Sequence, residues 1–82
     1  MADTPVHLGI YHLERIDPEY GSHIAFVILD VSENQARIRA GYADSGNHNI
    51  VWADPAAVTV TFLGWAEPGG EPRIVMSEKL GE

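Results

Sequence analysis

Eighty-two residues without a cysteine predict one small domain over residues 1–82, with neither disulfides nor a thiolate metal site. Twelve acidic residues against five basic ones give a net charge of −7, which argues against direct binding to nucleic acid or to an anionic membrane. The hydrophobic fraction of 45% is typical of a folded chain.

The start of the chain predicts a cytoplasmic protein. Residues Met1–Thr4 lack the positive charge and the following apolar core of a signal peptide. The longest apolar run is far shorter than the 18 or more residues of a membrane-spanning helix. We therefore expect no membrane partner.

Composition and turn spacing predict an all-β fold. Valine and isoleucine total fourteen residues against five leucines, which favours pleated structure. Turn-forming clusters separate six β-rich stretches, at 6–13, 23–31, 35–43, 49–53, 57–66 and 72–78. We predict a small single-domain antiparallel barrel or sandwich of about five to six short strands. One short helical turn is predicted near Asp54–Ala57, with Asp54 as its N-cap.

The run Ile24–Leu29 holds six consecutive apolar residues, which predicts a strand with both faces covered or one face offered to a partner. A hairpin with the stretch 35–43 pairs Asp30 with Arg37 and separates the two faces of the run. The residues placed in the core are Ala25, Val27 and Leu29, and those placed outward are Ile24, Phe26 and Ile28, beside Arg39. This outward group is the first predicted protein interface.

A second hairpin, between 57–66 and 72–78, predicts another exposed patch made of Leu63, Trp65 and Arg73. Arginine stacks on indole rings, and both residue types are enriched at binding hot spots. Covering the end of a barrel is the alternative role for Trp65. Trp52 is predicted in the core above Ala40, and its alternative placement is outward beside Arg39.

The sequence contains no pattern typical of a catalytic or metal site. His7, His12, His23 and His48 lack the spacing of metal ligands, and no serine lies in a nucleophile motif. We therefore predict no catalytic residue, no cofactor and no metal, and a protein that is not an enzyme. A small ligand or metal site in a barrel mouth, using His7, Tyr11 or His48, is one alternative.

These observations favour a non-catalytic protein-binding module. The acid excess suggests a basic protein partner, and a small bacterial or phage inhibitor or accessory protein that occludes such a surface fits best. The alternative is a structural homo-oligomer, a homodimer or larger assembly, that packs through its apolar outer sheet face.

Overall fold

The architecture is an open antiparallel sheet with two helices. The computed structural model describes residues 7–17, 23–44 and 49–79. In chain order, the elements are β1 (Gly9–Arg15), β2 (His23–Asp30), α1 (Glu33–Ala43), α2 (Asn49–Ala53), β3 (Val58–Trp65) and β4 (Arg73–Lys79). The strand order is β3-β1-β2-β4, and every neighbouring pair is antiparallel. Strands β3 and β4 are therefore the two edges.

The core lies between the helices and one face of the sheet. Its buried members come from β1, β2, β3 and both helices: Tyr11, Leu13, Phe26, Ile28, Ala36, Ala40, Trp52 and Val58. Successive side chains of a strand point to opposite faces, so His12 and Val27 lie on the other face. No described helix covers that open face, and neither helix is long and apolar enough to cross a membrane.

Helix α1 begins at a capping residue and packs through small side chains. The Ser32 side chain accepts a hydrogen bond from the Gln35 backbone N–H at 3.2 Å, which satisfies a free donor of the first turn. Ala36 and Ala40 lie one turn apart and are fully buried. Their short side chains let the helix backbone approach the sheet closely.

The predicted antiparallel β architecture is confirmed, but the closed barrel and the strand number are wrong. The sheet has four strands, because the stretches 35–43 and 49–53 are helical. The turn predicted at Asp54–Ala57 contains a hydrogen bond from the Ala57 N–H to the Asp54 carbonyl at 3.0 Å. The Asp54 carboxylate also accepts a hydrogen bond from the Ala56 N–H at 2.9 Å.

The predicted orientation of the run Ile24–Leu29 is wrong at Phe26, Val27 and Ile28, whereas Leu29 is buried as predicted. Phe26 and Ile28 are 1% and 0% exposed and form part of the core, whereas Val27 is on the open face. The stretch 35–43, predicted to pair with this run as a strand, belongs to helix α1. The helix packs over the face that carries Phe26 and Ile28. Strand β2 is instead paired with β1 on one side and β4 on the other.

Candidate protein-binding surface

Burial falls steeply along the edge strand β3. Val58 at its start is 0% exposed, whereas Phe62, Leu63 and Trp65 near its end are 48%, 57% and 64% exposed. Helix α1 packs on β2 and β1, while Val58 lies in the same core cluster as Trp52 of α2. The far end of β3 therefore extends beyond the cover of the helices. We name Phe62, Leu63 and Trp65 the β3 surface.

A β-bulge brings the two large aromatic residues of the β3 surface together. Tyr11 pairs with Phe62 but Ile10 pairs with Gly64, so Leu63 is an extra residue in β3. Residues three apart in a regular strand point to opposite faces. The extra residue shifts the alternation by one, so Phe62 and Trp65 lie on the same face. Their ring centroids are 5.0 Å apart at 70°, an edge-to-face geometry. The Tyr11 ring supports Phe62 from β1 at 5.5 Å.

Gly64 allows the backbone of this bulge to form. Its φ of +148° is a conformation that L side chains rarely adopt, although a Cβ there would meet nothing within 4 Å. We expect Gly64→Ala to lower the free energy of unfolding by about 1–2 kcal/mol through backbone strain alone. Urea denaturation measures this loss, and the NMR shift of the Trp65 indole N–H reports whether the aromatic pair is displaced.

Gly70→Ala is the matched control for that substitution. A Cβ at Gly70 would come within 3.0 Å of the flexible end of the Arg73 side chain and meets no backbone atom. We expect it to leave both measurements unchanged. Equal losses in the two variants would contradict the special role of the Gly64 conformation.

The second predicted patch is divided by the strand order. Leu63 and Trp65 lie on β3, but Arg73 lies on β4 at the opposite edge, because β1 and β2 are inserted between the two. The predicted stacking of Arg73 on Trp65 is therefore wrong. One Arg73 N–H donates to the Glu71 carbonyl at 2.9 Å. The aromatic neighbour of Trp65 is Phe62, which is not a member of the predicted patch.

The first predicted patch does not form a surface. Phe26 and Ile28 are buried, and Ile24 is half-buried. Arg39 lies on α1, where its Nε donates to the buried Asp30 carboxylate at 2.8 Å. That pair joins the helix to the end of β2 and replaces the predicted pair of Asp30 with Arg37.

The exposed charges near β3 are acidic, whereas Arg15 and Arg37, which lie beside its first residue, are buried. The strand itself contains no charged residue. Asp54 precedes it, Glu67 follows it, and Glu14 is the partner of Thr59 on β1, and all three carboxylates are exposed. In the described part of the chain, exposed carboxylates therefore lie beyond both ends of β3, and Glu67 comes two residues after Trp65 of the β3 surface.

An open groove of about 350 Å³ lies where β1, β2 and β4 meet. Its lining residues are His12, Ala25, Phe26, Val27, Met76, Ser77 and Glu78. Met76 is the most exposed apolar residue of this region. This volume is at the low end of the range for ligand pockets, and the β3 surface presents larger apolar side chains.

A buried carboxylate joins three elements behind this groove. Asp44, at the C-terminal end of α1, accepts hydrogen bonds from the His23 backbone N–H at 3.1 Å and from the Trp52 indole at 2.8 Å. The ring Nδ1 of His23 lies 2.9 Å from the same carboxylate. A histidine oriented by a carboxylate also occurs in catalytic sites. Among the described residues, however, Asp44 is the sole hydrogen-bond partner of the His23 ring.

Arg37 joins α1 to the rest of the core. Its guanidinium donates to the carbonyls of Trp52 at 3.2 Å and Val58 at 3.3 Å, and to the Glu33 carboxylate at 3.1 Å. These bonds give each of the three guanidinium nitrogens a partner in a side chain that is largely buried. Both this arginine and Asp44 hold elements together.

The histidines do not assemble into a metal site within the described residues, where no group of three or more His, Asp or Glu side chains could hold an ion. His7 is exposed, and His12 lies on the open sheet face. Tyr11, predicted at a barrel mouth, is buried beside Gly9 and Phe62. His48 lies outside the described residues.

Comparisons with protein-family models, with curated proteins and with solved structures give no match.

Proposed function

We propose that this chain is a non-catalytic protein-binding module that recognises its partner through the β3 surface. The observation that supports this most is the exposed pair of Phe62 and Trp65, in edge-to-face contact on an edge strand, with Leu63 also exposed between them in the chain. Tryptophan and other aromatic side chains supply most of the affinity at many interfaces, because they bury large apolar areas at a low entropic cost. The contact between the Phe62 and Trp65 rings also distinguishes them from singly scattered apolar residues, which are common on any surface.

The proposed partner is basic. The net charge of −7 and the exposed carboxylates of Asp54, Glu67 and Glu14 favour association with a positively charged protein surface. Binding would cover that surface, which is how a small inhibitor or accessory protein acts by occlusion. The charges would raise the association rate, and the apolar side chains would slow dissociation.

A matched pair of variants tests this function. Leu63→Ser/Trp65→Ser removes two exposed apolar side chains of the β3 surface, whereas Tyr42→Ser removes one on α1 that is 82% exposed. We expect proteins captured from an extract of the source organism by the wild type and by Tyr42→Ser to be lost with the double variant. Quantitative mass spectrometry measures the loss, and circular dichroism checks that all three proteins are folded.

Two outcomes would contradict the proposal. If the double variant captures the same proteins as the wild type, the β3 surface is not the binding site. If the wild type is a dimer by light scattering and the double variant a monomer, the chain is a structural homo-oligomer, and its own copy occupies the surface. A monomeric wild type at micromolar concentration removes that alternative.

A further inference from the structure

Among the described residues, no strand pairs with the outer edge of β3 beside the β3 surface. We infer that the partner adds an extended basic segment to this edge as a further strand of the sheet. This inference rests on the proposed function and specifies how the binding occurs. Strand addition supplies affinity through backbone hydrogen bonds and specificity through alternating side chains.

The two edges of the sheet differ in their protection against pairing. Strand β4 carries charge at both ends, with Arg73 at its first residue and Glu78 next to its last. Strand β3 contains neither a charged residue nor a proline. Charges and prolines are the usual devices that stop an edge strand from pairing with another chain. In the part of the chain that the structure describes, β3 pairs with β1 alone.

Two hydrogen bonds identify the backbone groups that point away from β1. The Ala57 carbonyl accepts from the Ile16 N–H at 2.9 Å, and the Ala66 N–H donates to the Leu8 carbonyl at 2.8 Å. Alternate residues of an antiparallel strand turn their N–H and C=O groups to the same neighbour. Counting from these two bonds on either side of the bulge, the groups of Val60, Phe62 and Trp65 point outward.

The occupant is a basic segment rather than a second copy of this chain. If two copies of β3 paired antiparallel with Thr61 at the centre, residues of the same face would lie opposite each other. Val60 would pair with Phe62, and Thr59 with Leu63. The same register brings Asp54 of one copy close to Glu67 of the other at both ends of the pair. Like charges opposed across strands are destabilising. A segment with cationic side chains meets these carboxylates with the favourable sign.

The side-chain pattern of that segment follows from the two faces of β3. On the helix side, Val60 and Phe62 offer apolar neighbours to alternate residues of the added strand. On the open side, Thr59 and Thr61 are polar, and Glu14 on β1 lies beside Thr59. The favoured segment therefore alternates apolar residues with lysine or arginine, whose long side chains reach across the threonines to the carboxylate.

Synthetic peptides test the mode of binding directly. The probes are eight-residue peptides that alternate valine with lysine, the same peptides with glutamate in place of lysine, and lysine peptides N-methylated at alternate residues. We expect the lysine peptides to bind and the glutamate peptides not to bind. N-methylation on the pairing edge should raise the Kd of the lysine peptides by about tenfold or more, since each blocked hydrogen bond is lost. NMR should show slowed amide exchange at Val60 and Phe62.

A proline variant tests the same edge from the side of the protein. Val60→Pro removes an N–H that β1 does not use, and it should weaken binding of the lysine peptides by about tenfold. Val60→Ala shortens the same side chain but retains the N–H, and it should bind within about twofold of the wild type. Circular dichroism and thermal melting verify that both variants are folded.

The outcomes separate this inference from the proposed function. If the lysine peptides bind equally well after N-methylation and to Val60→Pro, strand addition is overturned. The proposed function still holds in that case if Leu63→Ser/Trp65→Ser loses the protein partner. Equal binding of the glutamate peptides, or none of the lysine peptides, overturns a basic extended occupant. Dimerisation through β3 identifies a second copy as the occupant and overturns the inference as well.

Discussion

Replacement of Phe26 by aspartate is expected to leave the protein unfolded at 25 °C. Phe26 is 1% exposed, and its ring contacts Trp52 edge-to-face at a centroid distance of 4.9 Å and stacks on His23 at 4.9 Å. Loss of a buried phenylalanine side chain costs about 3–5 kcal/mol, and burying an unpaired carboxylate adds to that cost. Small domains are stable by about 5–15 kcal/mol, so this loss is a large share of the total.

Val27→Asp is the control for that substitution. Val27 is the next residue of the same strand, but it faces the open groove beside Met76. An aspartate there stays in contact with water, and we expect Val27→Asp to retain the circular dichroism spectrum and a cooperative thermal transition. A folded Phe26→Asp with an unchanged melting temperature would contradict the buried position and restore the outward orientation.

The orientation predicted for β2 is wrong because of the partner assigned to it, and not because of its own residues. The apolar run Ile24–Leu29 correctly predicts a strand, and β2 spans His23–Asp30. Which of its faces is inside depends on what pairs with it and what packs on it. A strand at 35–43 favours one orientation, but the helix that occupies this stretch packs on the other face.

The signals for α1 are present in the sequence but weak. Ser32 is a good N-cap residue, and Glu33 and Arg37 have the spacing of a helical ion pair. The helix buries Ala36, Ala40 and Gly41 together with Arg37. Small side chains and an arginine do not produce the apolar stripe by which a helix is usually predicted. The sequence pattern alone therefore does not predict α1.

The strand order explains what could be predicted of the candidate site. The alternation along their own strand predicts that Leu63 and Trp65 are exposed, and both are. Pairing of consecutive strands predicts Arg73 beside them, but here β1 and β2 occupy the space between β3 and β4. The sequence does not predict Phe62 beside Trp65, because the bulge at Leu63 and Gly64 has only one local signal, the glycine itself.

Substitution of Asp44 by alanine is expected to cause the second-largest loss of stability. Its carboxylate accepts hydrogen bonds from the His23 backbone and from the Trp52 indole, and its side chain is fully buried. Removal of the carboxylate leaves these donors without a partner, and an unsatisfied buried donor costs about 1–3 kcal/mol. We expect the free energy of unfolding to fall by about 3 kcal/mol, as measured by urea denaturation.

Asp44→Asn and Asp54→Ala distinguish hydrogen bonding from the loss of a side chain. The asparagine amide has almost the same shape as the carboxylate, but its NH₂ group donates and cannot accept from the indole or the His23 N–H. We therefore expect Asp44→Asn to lose about 2 kcal/mol. Asp54 is exposed and caps one turn, so Asp54→Ala should lose only about 1 kcal/mol. If Asp44→Asn is as stable as the wild type, the carboxylate does not hold β2, α1 and α2 together.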